Sequence, residues 1–113
     1  MADNCLFCRI VRGEIPATVV AENEHALAFR DIGPQAPVHV LVIPKVHVAS
    51  LNDLRDPLVM AQMTQMAVEV AQREGIAERG YRIVVNTNAD GGQTVFHLHL
   101  HLLGGRHLDW PPG

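Results

Sequence analysis

From position 97 the chain reads His97-Leu98-His99-Leu100-His101-Leu102-Leu103, with imidazole and aliphatic side chains in alternation. A period of two is the signature of a strand. It predicts that the leucines enter a core while all three rings project from the opposite face. This run therefore demands a sheet with one surface packed and the other carrying reactive nitrogen atoms. Three uses of such a surface stand side by side: a metal site, a nucleophilic site, and an ordinary amphipathic strand.

The rest of the chain supplies partners for that strand. A nearly continuous apolar run at 38–44 predicts a central strand covered on both faces. Before it, a short helix is expected over 5–12, capped by Asp3 and ended by Gly13, with Leu6, Phe7, Ile10 and Val11 as its stripe. Strands are expected at 18–21 and 25–30, joined through the polar turn Glu22-Asn23-Glu24. The two prolines in Gly33-Pro34-Gln35-Ala36-Pro37 mark a loop.

Over 57–74 the helical spacing of Leu58, Val59, Met63, Met66, Ala67 and Val70 predicts one long covering helix, capped by Asp56 and stopped at Gly75. Met60, Met63 and Met66 on it read as core filler. A further strand at 81–86 turns through Asn88-Ala89-Asp90-Gly91-Gly92 into the histidine strand, expected over 95–103. Five strands, one long helix and one short helix give an α+β fold with an antiparallel sheet. At 113 residues and 48% hydrophobic, the chain suits one domain over 1–113, with 104–113 as a docked tail ending in Trp110-Pro111-Pro112-Gly113.

A net charge of -3 argues against broad binding to nucleic acid. No apolar run reaches the roughly 18 to 20 residues of a membrane span, and the first residues do not form a basic, hydrophobic leader, so a cytoplasmic protein is expected. In that reducing compartment Cys5 and Cys8 are not expected to form a structural disulfide. They read instead as a redox pair, as buried helix-face residues or as two ligands of a structural zinc. The other ligands would come from among His25, His39, His47, His97 and His107.

Among the triad histidines, His99 is flanked by His97 and His101 on its own face and is the candidate nucleophile. A neutral imidazole can attack phosphorus when its second nitrogen is held as a donor. His101 could then hydrogen-bond a phosphate oxygen or the departing group. The turn Gly91-Gly92-Gln93-Thr94 could cradle a phosphate through its amides and the Thr94 hydroxyl, although such turns usually serve a tight hairpin.

The histidine run resembles the signature of the histidine-triad superfamily. Cys5-Leu6-Phe7-Cys8-Arg9-Ile10-Val11-Arg12-Gly13-Glu14-Ile15-Pro16, Ala28-Phe29-Arg30-Asp31-Ile32 with Pro34-Gln35-Ala36-Pro37-Val38-His39, Leu41-Val42-Ile43-Pro44-Lys45, Arg82-Ile83-Val84-Val85-Asn86, and the closing Gly104-Gly105-Arg106 with Trp110-Pro111-Pro112-Gly113 resemble its nucleotide-binding, purine nucleoside phosphoramidase branch. The resemblance spans essentially the whole chain. It implies a homodimer that binds purine nucleotides such as AMP or GMP, and that hydrolyses adenosine 5′-phosphoramidates and aminoacyl adenylates through a nucleotide bonded to His99.

By the same likeness His101 and Thr94 contact the phosphate and leaving group, with His39 beside the latter. Asn86, Gly92 and Gln93 hold the phosphate, and Asp31 grips the ribose hydroxyls. Leu6, Phe7, Ile10, Phe29 and Ile32 wall the base pocket. Zinc-carrying bacterial relatives place the ligands at the positions of Cys5, Cys8, His47 and His97, which makes the metal structural and leaves catalysis without a required cofactor. Dinucleoside polyphosphate cleavage, a non-enzymatic nucleotide-binding scaffold, and a metal-dependent hydrolase with an ion on His97, His99 and His101 are the competing functions.

Overall fold

The apolar run becomes strand β3 (Val38–Pro44), and it occupies the middle of the sheet. In the computed structural model, which describes residues 4–113, the other strands are β1 (Val19–Glu22), β2 (Ala26–Arg30), β4 (Tyr81–Val84) and β5 (Leu100–Gly104). They form one antiparallel sheet in the order β1-β2-β3-β5-β4. Helix α1 (Leu6–Val11) packs on one face and helix α2 (Pro57–Arg73) on the other. No helix among the described residues is long and apolar enough to cross a membrane.

Alternation sorts each strand's side chains between two cores. Ala26, Ala28, Val40, Val42, Leu98, Leu100 and Leu102 pack with Met63, Met66, Ala67 and Val70 of α2. Leu27, Phe29, Leu41 and Ile43 pack with Cys5, Phe7 and Cys8 around α1. β3 is thus covered on both sides, as its composition requires. Met63 and Met66 are buried and Met60 packs against them, but Leu58 is 57% exposed. Its neighbour Val59, in the same turn of α2, packs against the core instead.

The observed elements differ from the sequence expectations at several ends. The histidine strand does not begin at 95: only 100–104 pairs in the ladder, so His97 and His99 precede it. The reason is tertiary, because the Gln93 carboxamide donates to the Ala49 and Val95 carbonyls and the Leu98 amide donates to Val48. These contacts tie the segment to the chain following β3. The alternation survives regardless, with the leucines in the α2-side core.

The residues expected as a hairpin turn instead form a short helix, α3 (Asn88–Gly91), which Gly92 ends at φ 83°. β4 stops at Val84 instead of 86. Asp3 lies outside the described residues. The observed cap of α1 is Cys5, whose sulfur accepts the Cys8 amide. In the tail, the Arg82 guanidinium holds the Leu108 and Asp109 carbonyls and lies over the Trp110 ring, while the indole remains 80% exposed.

Gly104 closes β5 where nothing larger fits, since a Cβ there would lie 2.6 Å from Ile76 Cδ1 and 3.2 Å from Ile76 Cβ. Gly104→Ala is therefore expected to cost about 1–3 kcal/mol through overpacking. Urea unfolding checks this, and Ile76→Val in the same chain should recover part of the loss by removing Cδ1.

Candidate active site and adjoining metal centre

On the α1 face the sheet opens into a cleft of about 390 Å³. Phe7, Ile10, Phe29 and Leu41 form apolar walls, Leu6 and Ile32 stand at its exposed rim, and Asp31, Thr94, His99 and His101 bring polar atoms into it. Of the residues expected at a nucleotide site, this brings together Leu6, Phe7, Ile10, Phe29, Asp31, Ile32, Thr94, His99 and His101. Leu41, Val95, Ile15 and Pro16 also line it and were not foreseen. Leu41 carried a readable signal, because period two puts it on the same face of β3 as His39.

Other expected residues fall outside the lining. Asn86 is half-buried just beyond β4, and the exposed Gly92 ends α3. Gln93 is buried with its carboxamide committed to backbone, donating to Ala49 and Val95 and accepting from the Asn88 amide. His39 lies behind His101, not in the cleft wall.

Hydrogen bonds fix which nitrogen of each imidazole carries a proton. His99 Nδ1 lies 2.7 Å from the His97 carbonyl oxygen, which can only accept. Nδ1 is therefore the donor, and Nε2 keeps its lone pair. For His39, Nδ1 accepts the Gln35 amide at 3.0 Å, so Nε2 carries the proton and donates it to His101 Nδ1 at 2.9 Å. His101 consequently holds its own proton on Nε2. The neutral site thus presents an acceptor on His99 and a donor on His101, set by two backbone groups.

The register explains the relay. Leu41 is opposite His101 and Leu103 is opposite His39, which makes the two histidines diagonal neighbours within reach of long side chains. Arg106 holds the Gln35 carbonyl through two nitrogens, at 2.9 and 3.2 Å, steadying the loop that supplies the amide. In the same loop, Asp31 accepts the Gly33 amide at 2.7 Å and has its second oxygen 3.5 Å from His39 Nε2.

Burial keeps these rings neutral. Desolvation lowers His99, against the opposing pull of the His97 carbonyl and Asp31. It lowers His101 to about 4, with help from His99 and His39, and lowers His39 against Asp31.

Beside the cleft, Cys5, Cys8, His47 and His97 place one ligand atom each within 4.8 Å of all the others. Cys5 Sγ and Cys8 Sγ lie 3.2 and 3.4 Å from His97 Nδ1, and Cys8 Sγ lies 3.3 Å from His47 Nδ1. The far nitrogen of His97 donates to the Pro44 carbonyl at 2.8 Å, which turns the Nδ1 lone pair toward the sulfurs. Two thiols and two imidazoles with one ring already oriented fit a closed, tetrahedral zinc site. Bound there, zinc would cross-link α1 to the chain after β3 and to the approach to β5. With His97 turned into this cluster, the three triad rings do not converge on one ion.

Burial also lowers His97 to about 4. A ring that is neutral when folded and titrates near 6.5 when unfolded makes the unfolded chain bind more protons between those values. Stability of the metal-free chain is therefore expected to hold above pH 6.5 and to fall as pH drops toward 4. His97, fully buried, accounts for about 3 kcal/mol of the loss. Urea titrations across that window check the direction and size.

The model of the HIT domain matches residues 12–108. The chain belongs to the HIT family. This HIT chain is 46% identical over 110 residues to the purine nucleoside phosphoramidase of Escherichia coli K12, covering 96% of the former and 92% of the latter. It is 48% identical over 113 residues to a 14 kDa zinc-binding protein of Zea mays, covering 96% and 87% respectively. Its fold superposes on the crystal structure of a HIT family hydrolase from Legionella pneumophila Philadelphia 1 with a TM-score of 0.95 and 58% identity, covering 97% of this chain and 100% of that one.

Proposed function

We propose that this HIT protein is a purine nucleoside phosphoramidase that adds water across the P–N bond of adenosine 5′-phosphoramidates and also hydrolyses aminoacyl adenylates. The observation that carries the reading is the opposed pair of tautomers, a lone pair on His99 Nε2 beside a proton on His101 Nε2. His99 Nε2 bonds to phosphorus as the P–N bond breaks, and His101 passes its Nε2 proton to the departing nitrogen, which leaves as the amine. Water then adds to phosphorus, breaking the His99–phosphorus bond; its oxygen stays on the released nucleotide and its proton returns to His101. His39 is a positioning residue that keeps the His101 proton facing the substrate.

Apolar walls on α1 and β2 suit a purine, and Asp31 at the cleft edge suits two ribose hydroxyls. Thr94, which lines the cleft beside the two imidazoles, is assigned to the phosphate, whereas the Gly92 amide is taken up by the Ala89 carbonyl. The name of the Escherichia coli relative supports the substrate class. The unpaired edge of β4, which exposes Ile83, supports a homodimer formed across it. Two free thiols support a cytoplasmic location.

The test compares kcat/KM for adenosine 5′-phosphoramidate with that for a dinucleoside polyphosphate. The expected preference for the phosphoramidate is at least about 100-fold. The reverse order would assign the chain to polyphosphate cleavage, and negligible turnover with tight AMP binding would make it a nucleotide-binding scaffold.

A further inference from the structure

We propose that the Cys5, Cys8, His47 and His97 cluster positions the nucleotide site, so that zinc on these residues tightens purine nucleotide binding. The proposal rests on the nucleotide reading above and extends it to control of that site. Its basis is the shared use of α1. Cys5 and Cys8, two of the four ligands, bracket Leu6 and Phe7, two residues lining the cleft. A six-residue helix cannot turn one of these pairs without turning the other.

Phe7 is the residue through which the two sites meet. Its ring lies edge-on to His97, His99 and Phe29, with centroids 6.0, 5.1 and 5.5 Å away. It therefore touches a cluster ligand, the attacking ring and the opposite wall of the cleft at once. His97 makes a second link, because its side chain belongs to the cluster while its carbonyl holds His99 Nδ1. The position of one residue thus sets both ligand geometry and the tautomer of its neighbour.

Access to the cluster is separate from access to the nucleotide. His47 is exposed, and a second groove lined by Cys5, His47, Ala49 and Phe96 reaches the ligands from solvent. Leu6, Thr94 and Val95 line both this groove and the nucleotide cleft. Metal and nucleotide can therefore bind together, in adjoining chambers with a common wall, which is the arrangement thermodynamic coupling needs.

Calorimetry of AMP binding to the zinc-loaded and zinc-free full chain tests this, with circular dichroism to confirm the fold after chelation. AMP should bind at least about fivefold more weakly without zinc, and saturating AMP should tighten zinc against a competing chelator by the same factor. Phe7→Leu leaves all four ligands in place. It should retain zinc while the coupling factor falls below that of wild type, the His97 link remaining. Equal AMP affinity in the two forms, or an undiminished factor in Phe7→Leu, overturns the proposal alone. AMP that fails to bind even the loaded chain overturns the nucleotide reading with it. If the zinc-free chain unfolds, chelator competition on loaded wild type and Phe7→Leu supplies the deciding comparison.

Discussion

His99→Ala is expected to lower kcat for adenosine 5′-phosphoramidate hydrolysis by at least about 1,000-fold, because no neighbouring group can replace the lost lone pair. His101 presents a proton on its free nitrogen, His39 is buried behind it, and His97 directs both nitrogens elsewhere. The variant also loses the edge-on packing of His99 against Phe7, at a cost of about 1–3 kcal/mol. Circular dichroism and AMP binding should show a folded chain that holds nucleotide without turning it over. Single-turnover rates near those of wild type would remove His99 from the mechanism.

Metal analysis of the purified protein should find close to one zinc per chain, and stripping it should lower Tm by on the order of 10 °C. The free energy of holding four ligands is realised only in the folded state, since the ligand positions 5, 8, 47 and 97 are scattered along the unfolded chain. Part of the fold survives because the α2-side core contains none of these ligands. A Cys5→Ser, Cys8→Ser chain should melt near the stripped value and ignore chelator. A wild-type chain that carries no metal and whose melting is indifferent to chelator would refute the structural zinc.

Much of the architecture could be read directly because it follows local periodicity. The apolar run at 38–44 identified the doubly covered central strand, and Asp56 and Gly75 bracketed the long helix. Alternation placed the leucines and imidazoles on opposite faces even where ladder pairing is absent. The start of β5 was not legible, because it depends on Gln93 reaching Ala49 and on Leu98 reaching Val48, bonds between segments more than forty residues apart.

The site divides in the same way. The proposal of His99 as nucleophile came from the spacing of three rings; spacing also offered Cys5 and Cys8 as zinc ligands, and resemblance to zinc-carrying relatives singled out His47 and His97 from five candidate histidines. The protons on those rings could not be read, since they depend on the Gln35 amide and the His97 carbonyl. Backbone groups leave no mark in residue identity. The sequence pattern shows where an imidazole stands, while the folded backbone decides whether it gives or takes a proton.

The proposed hydrolysis turns on one bond, from the lone pair of His99 to phosphorus. A rapid-quench single turnover with adenosine 5′-phosphoramidate labelled at phosphorus, stopped in alkali and mapped by peptide, tests it most directly. Label is expected on His99, attached at Nε2, rising within the first turnover and decaying as AMP appears. AMP formed at the full rate with no labelled protein at any time, or with label on His101 instead, would contradict it.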